Sequence, residues 1–333
     1  MKKTIFVSKN LRINLNEWRK CSLQTVEGGL GCIMGVTEDG FVLQKMINQK
    51  PIIQFDAVPY ESEILDKSIW CDVKSIAVSK CIPGLTMGLT HSGKCIIRTS
   101  PFKSFCSDSG ISIELLEDTV NKWSDICEIA VSDAFFARDS RGKVYHCPLN
   151  QNDNEYIETS SWFDVQHISA GASGHSIFGI TRDGRILSTG KNIDGTRYTT
   201  DIRDILFGMR NLVDVCMIGS SLIVMEDEEG SYCCLQQGYF DRYETIEIEK
   251  IRVPDKKTKN MECSGTEEYL IRQKENTLRF WSPHYPVNGT EIIKLDGVIT
   301  SFSLGYRFGF DSSPIIDDVP YVIGLYEGRL RNG

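Results

Sequence analysis

Five histidines and twelve cysteines are the side chains of this chain best suited to metal binding, proton transfer or nucleophilic attack. Their spacing supports none of the three. His91, His146, His167, His175 and His284 are scattered, with no pair at metal-ligand spacing, and no Cys-x-x-Cys pair exists, so structural zinc is not expected. Cys233 and Cys234 are adjacent, point to opposite faces of a strand and so do not chelate one ion together. Cys32, Cys95, Cys127, Cys216, Cys233 and Cys263 fall inside apolar runs, where a reduced thiol serves as a small apolar residue.

The other signatures of catalysis are missing as well. There is no Gly-x-Ser-x-Gly elbow, no phosphate-binding glycine loop with its lysine, and no Cys-His pattern of a thiol enzyme. Gly28-Gly29-Leu30-Gly31 is glycine-rich but no helical pattern follows it, and Asn288-Gly289-Thr290 matches a glycosylation sequon without a secretion signal beside it. The expectation is a non-catalytic protein with no cofactor and no metal.

The elements that would position any site are short strands. From Trp162 to Thr196 the chain reads as apolar runs bounded by Gly, Ser and Asp, with Asp183-Gly184 between two of them, which predicts a small antiparallel sheet with a tight hairpin. The opening phrase recurs. Trp70-Cys71-Asp72-Val73 is followed by Ile76, Trp123-Ser124-Asp125-Ile126 by Ile129, and Trp162-Phe163-Asp164-Val165 by Ile168. Weaker copies start at Met209-Arg210-Asn211-Leu212 and at Val298-Ile299. The hairpin phrase ends at Gly40, Gly93, Gly142, Gly184, Gly230, Asn276 and Gly328, so the period is roughly 40 to 53 residues and seven units fill residues 1–333 as one domain. The five tryptophans, Trp18, Trp70, Trp123, Trp162 and Trp281, fall one to a unit and read as core residues.

Composition agrees with an ordinary globular chain: 333 residues, 41% hydrophobic, 25% charged, 10% aromatic. No apolar run approaches the roughly 20 residues of a membrane span, and the apolar stretch after Lys2-Lys3 is too short for secretion, so a cytoplasmic or nuclear location is expected. A net charge of −8 argues against a protein whose main partner is nucleic acid. Lys250, Arg252, Lys256, Lys257 and Lys259 form one basic segment, and Glu226-Asp227-Glu228-Glu229 an acidic hairpin tip; solvated loops are the commoner explanation of each.

In chain order, Thr4-Ile5-Phe6-Val7 is a strand without a hairpin partner, while the last unit lacks an outer strand; pairing the two would close the ring and hide both edges. The stretch 49–66 reads as a polar connection across one face. Ile113, Leu116 and Val120 have helical spacing. In the seventh unit, the first strand is expected to end near Gly305 and the second to begin at Tyr321, with an aromatic-rich insertion where the fourth unit needs only a turn. That insertion supplies the candidate partner-binding residues Tyr306, Arg307, Phe308, Phe310 and Ile315, with Glu226, Asp227, Glu228 and Glu229 as a rim.

The fourth unit carries a family resemblance. Ala170-Gly171, Gly174-His175-Ser176, Ile180-Thr181-Arg182-Asp183-Gly184-Arg185-Ile186 and Ser188-Thr189-Gly190-Lys191-Asn192 with Gly195 closely resemble the repeat of the regulator-of-chromosome-condensation family, which has Trp where Thr189 stands. The other units keep the hairpin and lose the histidine. The resemblance implies an all-β, seven-bladed β-propeller, and gives His175 a structural role in a turn. The family spans several functions, so three readings follow: a protein-interaction scaffold or adaptor, a guanine-nucleotide exchange factor acting on a small GTPase, and a chromatin-associated binding protein. The first is preferred, because no insertion matches a nucleotide-pocket wedge and the net charge disfavours chromatin.

Overall fold

A computed structural model of the chain describes residues 3–8, 13–47, 63–82, 84–98, 112–149, 159–170, 177–189, 210–218, 221–226, 231–237, 243–248, 261–263, 270–274, 276–281, 290–307 and 319–328. Strand β1 (Lys3–Val7) comes first. Blade one holds β2 (Leu23–Gly28), β3 (Cys32–Thr37), β4 (Val42–Met46) and β5 (Glu63–Ile64). Blade two holds β6 (Val73–Val78), β7 (Thr86–Thr90) and β8 (Cys95–Arg98), and helix α1 (Ile113–Val120) follows it. Blade three is β9 (Ile126–Val131), β10 (Ala134–Asp139) and β11 (Val144–Pro148); blade four is β12 (Val165–Ala170), β13 (Ile177–Thr181) and β14 (Ile186–Thr189). Blade five runs β15 (Leu212–Ile218), β16 (Ser221–Glu226), β17 (Ser231–Gln237) and β18 (Tyr243–Ile248), and blade six β19 (Met261–Cys263), β20 (Leu270–Lys274), β21 (Thr277–Trp281) and β22 (Thr290–Lys294). Blade seven is β23 (Gly297–Arg307), β24 (Val319–Gly328) and, on the far side of β24, strand β1.

The first strands of the blades touch one another in turn, β2 to β6, β9, β12, β15, β19, β23 and back to β2. The fold is a β-propeller closed on itself. Its last blade is completed by the first strand of the chain: Lys3, Ile5 and Val7 pair antiparallel with Glu327, Leu325 and Ile323. Ile5 and Phe6 are buried there, and both edges that the sequence left unpaired are satisfied.

Why blades one to four begin where they do is visible in the tryptophan ahead of each, which in blades two to four opens a Trp-x-Asp phrase. Trp18, Trp70, Trp123 and Trp162 are buried just ahead of inner strands. A Cβ on Gly35, Gly88 or Gly179 in the middle strands would lie within 3 Å of the Trp18, Trp70 or Trp162 ring, so only glycine lets those rings seat there. Two residues on, Asp72, Asp125, Asp164 and Asn211 adopt left-handed backbone with φ of 57–61°, a region in which Asp and Asn are enriched. They turn the chain into the inner strand.

The hairpin between the second and third strands is stabilised by one side-chain oxygen. Thr37, Thr90 and Thr181 accept from the amides of Phe41, Lys94 and Arg185 at 3.0 Å, and Asp139 does the same for Lys143 at 2.9 Å. Each tip then docks on the next blade: the amides of Val73, Ile126, Val165 and Leu212 donate to the carbonyls of Gly40, Gly93, Gly142 and Gly184 at 3.0–3.1 Å.

Helix α1 starts at Ser112, whose hydroxyl accepts from the Leu115 amide at 3.3 Å. It buries Leu116 and Val120 against Cys95, Ile97, Trp123 and Cys147 on the outer rim of blades two and three, while Ile113 stays exposed. Two sequence expectations need correction. The connection 49–66 contains a strand, because Glu63 and Ile64 pair with Gln44 and Leu43 and cover the edge of β4. The first hairpin of blade seven is also longer than its composition suggests, its strands reaching Arg307 and Val319 instead of Gly305 and Tyr321.

Candidate functional site

In most blades the first hairpin turns soon after the rung equivalent to Val131↔Phe135 or Ala170↔Ile177. Blade seven passes that rung at Leu304↔Val322 and continues through Gly305↔Tyr321, Tyr306↔Pro320 and Arg307↔Val319. At about 3.4 Å per residue, the extra pairing lengthens this hairpin by about 10 Å. Tyr306 and Arg307 are its last described rungs. Phe308, Phe310 and Ile315 belong to the connection 308–318 and lie outside the described residues.

The root of this hairpin is fixed to blades one and two. The Tyr321 hydroxyl lies 2.7 Å from the Cys32 carbonyl and 3.0 Å from that of Gly29, with its ring filling the space a Cβ on Gly305 would occupy. Burial pushes the Tyr321 phenol well above the usual tyrosine range, so it stays a donor. The Lys80 ammonium, from just beyond β6, donates to the Gly28 carbonyl at 2.8 Å, to Ser303 Oγ at 3.0 Å and to the Leu304 carbonyl. Ser303 Oγ in turn donates to Glu27 Oε2 at 2.7 Å. Blades one, two and seven are thus clasped at one point.

The acidic tip is elsewhere. Glu226 ends β16, its backbone paired with Ser231 on one side and Leu212 on the other. Leu212 begins its inner strand, whereas Arg307 ends one. The described members of the two groups, Glu226 and the pair Tyr306 and Arg307, thus have their backbones at opposite ends of their sheets. Asp227, Glu228 and Glu229 lie outside the described residues.

A polar cluster that the sequence did not single out joins three inner strands. His167 on β12 places Nδ1 2.5 Å from Glu128 Oε1 on β9 and Nε2 3.0 Å from Asp214 Oδ1 on β15. Glu128 Oε2 also accepts from Arg138 Nε at 2.8 Å and from the Ile168 amide at 3.1 Å. Burial alone would lower the His167 pKa, but the carboxylates of Glu128 and Asp214 outweigh it and push it up to about 10. Glu128 is likewise disfavoured by burial, and the His167 and Arg138 charges still hold it below the usual carboxylate range. The imidazolium is therefore charged at neutral pH.

A bulge places these side chains. In β2, β6, β9, β12, β15 and β23 the register shifts near the start of the strand, and the residue past the shift is Thr25, Ser75, Glu128, His167, Asp214 or Ser301. Thr25 Oγ1 and Ser301 Oγ meet at 3.4 Å across the seam. Six of the seven inner strands, all but β19, thus carry a polar residue at the same level. Both ring nitrogens of His167 are engaged in opposite directions, which suits an ion-paired staple. Among the described residues no group of three or more His, Cys, Asp and Glu could hold a metal ion.

Four of the described cysteines are poor candidates for thiol chemistry. Burial pushes Cys32 and Cys147 up to about 11 and Cys81 and Cys95 up to about 12, which leaves each protonated and weakly nucleophilic. His175 and its turn lie outside the described residues.

With this geometry in hand, the chain is similar to solved propellers. Prp20p from Saccharomyces cerevisiae, described with its binding properties to Gsp1p and histones, superposes with a TM-score of 0.63 at 11% identity, over 99% of this chain and 92% of that one. The same yeast protein bound to Kap60 gives a TM-score of 0.58 at 11% identity, over 92% and 81% of the two chains. Human WBSCR16 gives 0.55 at 11% identity, over 92% and 87%. At such identity the likeness is one of fold. No protein-family model and no curated protein sequence matches this chain. No described helix is long and apolar enough to cross a membrane.

Proposed function

We propose that this chain is a non-catalytic protein-interaction propeller, a scaffold or adaptor of the regulator-of-chromosome-condensation repeat type working in the cytoplasm or nucleus. The observation that carries the reading is the lengthened β23–β24 hairpin with its clasped root: Tyr321 and Lys80 hold its base to blades one and two, and its paired strands continue from there to Arg307 and Val319. A base fixed in advance lowers the conformational entropy lost on binding. Tyr306, Arg307, Phe308, Phe310 and Ile315 would be the hairpin's contact residues, aromatic and arginine side chains being those that dominate interface energetics. The protonated thiols and the doubly engaged His167 support a non-catalytic role.

Affinity capture of the tagged protein from its native cells, comparing wild type with a Phe308→Ala/Phe310→Ala variant, tests the reading. A set of proteins held by the wild type and lost from a normally folded variant is the expected result. Equal capture by both forms would remove the hairpin from the function. A nucleotide-free small GTPase among the captured proteins would replace the scaffold reading with that of an exchange factor, to be checked by release of labelled nucleotide.

A further inference from the structure

At the end of the ring where the inner strands begin, the second hairpin of blades one to four docks on the next blade, so the tips follow one another along a single rim. Their charge is not uniform. The tip of blade one carries exposed Glu38 and Asp39, with Asp72 at its junction to blade two, and β16 and β17 of blade five are joined by Glu226-Asp227-Glu228-Glu229. Between these acidic ends, the tips of blades two to four expose Lys94, Arg141, Lys143, Arg182 and Arg185. Lys122 and Arg210 are exposed just ahead of β9 and β15.

The carboxylates of the same arc are fewer. Asp139 pairs with Arg141 at 3.3 Å, Asp164 with Arg182 Nε at 3.2 Å and Asp183 with Arg185 Nε at 2.7 Å; with Asp125 these are four carboxylates against the seven cations just named, so the arc keeps a cationic excess on a chain of net charge −8. In its middle stands Phe163, 73% exposed and next in sequence to Asp164. The neighbouring repeats carry Cys71 and Ser124 at that position, so the fold does not require a phenylalanine there. A bare aromatic ring flanked by arginines has the composition of a protein-binding hot spot.

We infer that this arc binds an acidic polypeptide segment carrying an apolar side chain, its carboxylates meeting Lys94, Arg141, Arg182 and Arg185 and its apolar group seating on Phe163. The interspersed Asp125, Asp164 and Asp183 oppose a continuous phosphate backbone, and a single aromatic offers one seat for an apolar side chain. A polypeptide fits better than a nucleic acid. The site lies at the opposite end of the ring from the β23–β24 hairpin and stands apart from it.

The test uses the full chain and a fluorescein-labelled Glu-rich peptide with spaced leucines, followed by fluorescence anisotropy at low and physiological salt. Saturable binding is expected, weakened about tenfold by Lys94→Glu/Arg185→Glu and by Phe163→Ala, each equivalent to about 1.4 kcal/mol. Glu38→Lys, on the acidic tip of blade one, should leave it unchanged or tighten it. Circular dichroism melts of all variants, matching wild type, would show that folding is intact. Absence of peptide binding, equal binding by the charge-reversed variant, or tighter binding to duplex DNA lost in the same variants would each overturn the inference.

Discussion

The imidazole of His167 is held between carboxylates from the blades on either side, 2.5 Å from Glu128 and 3.0 Å from Asp214, so one protonated ring ties three inner strands. Its folded pKa of about 10 lies above the unfolded value of about 6.5. A raised pKa contributes stability that is complete below the unfolded value and is lost as pH rises through the folded one. Wild type should therefore lose melting temperature between pH 7 and pH 10 faster than His167→Gln, and at pH 7 the variant should be less stable by about 2 kcal/mol. Calorimetry across that range checks both; parallel pH curves for the two proteins would refute the charged staple.

Removal of residues 1–8 should expose the edge of β24 and vacate the space where Phe6 meets Gly324. With Ile5 and Phe6 both withdrawn from the core, the melting temperature should fall by about 10 °C or more, with aggregation above it. Light scattering during a thermal melt reads both effects. An unchanged melt would mean that the strand contributes no closure energy.

Gly142 has φ of +86°, and a Cβ there would meet the Val165 amide nitrogen at 2.5 Å. Gly142→Ala should cost about 2 kcal/mol or more, because both the left-handed backbone and the inter-blade bond to Val165 are disturbed. Urea denaturation of this variant, beside Ser140→Ala at the exposed tip of the same hairpin, measures the difference.

Lys80 is the only described side chain seen to bond both Gly28 of blade one and Leu304 of blade seven. Lys80→Met keeps the aliphatic stem and removes the donor, leaving those carbonyls and Ser303 to find other partners. A loss of about 1–3 kcal/mol is expected, with hydrogen exchange accelerating first at the amides of blade seven. Uniform exchange across all blades would deny the clasp a local role.

Much of the frame could be read from residue types because the repeat encodes local chemistry. Tryptophan as a core residue and glycine at a hairpin each do in the folded chain what their positions announced at Trp70 and Gly93, while the left-handed turn at Asp72 shows why the same phrase carries an Asp. The axial cluster was not legible for the opposite reason. His167 stands 39 residues from Glu128 and 47 from Asp214, separations set by loop lengths that carry no chemistry. The available signal was positional: in six of the seven inner strands a polar residue, Thr25, Ser75, Glu128, His167, Asp214 or Ser301, stands two places past an apolar one, Leu23, Val73, Ile126, Val165, Leu212 or Ile299. The bulge that brings those residues to one level leaves no mark in the sequence. Similarly, the pairing of β5 with β4 rests on two residues, Glu63 and Ile64, too short a run for a periodic pattern to mark.

Because Phe6 pairs with Gly324, the ring is joined by residues from the two far reaches of the chain. During synthesis β1 emerges early and has no partner until β24 follows, so six blades must form beside an open seam. Contacts of such separation are slow to make and leave hydrophobic edges bare meanwhile. The fold is thereby given a late checkpoint. A chain interrupted before β24 leaves the apolar first strand without its partner, while a chain that includes β24 hides that strand within the last blade.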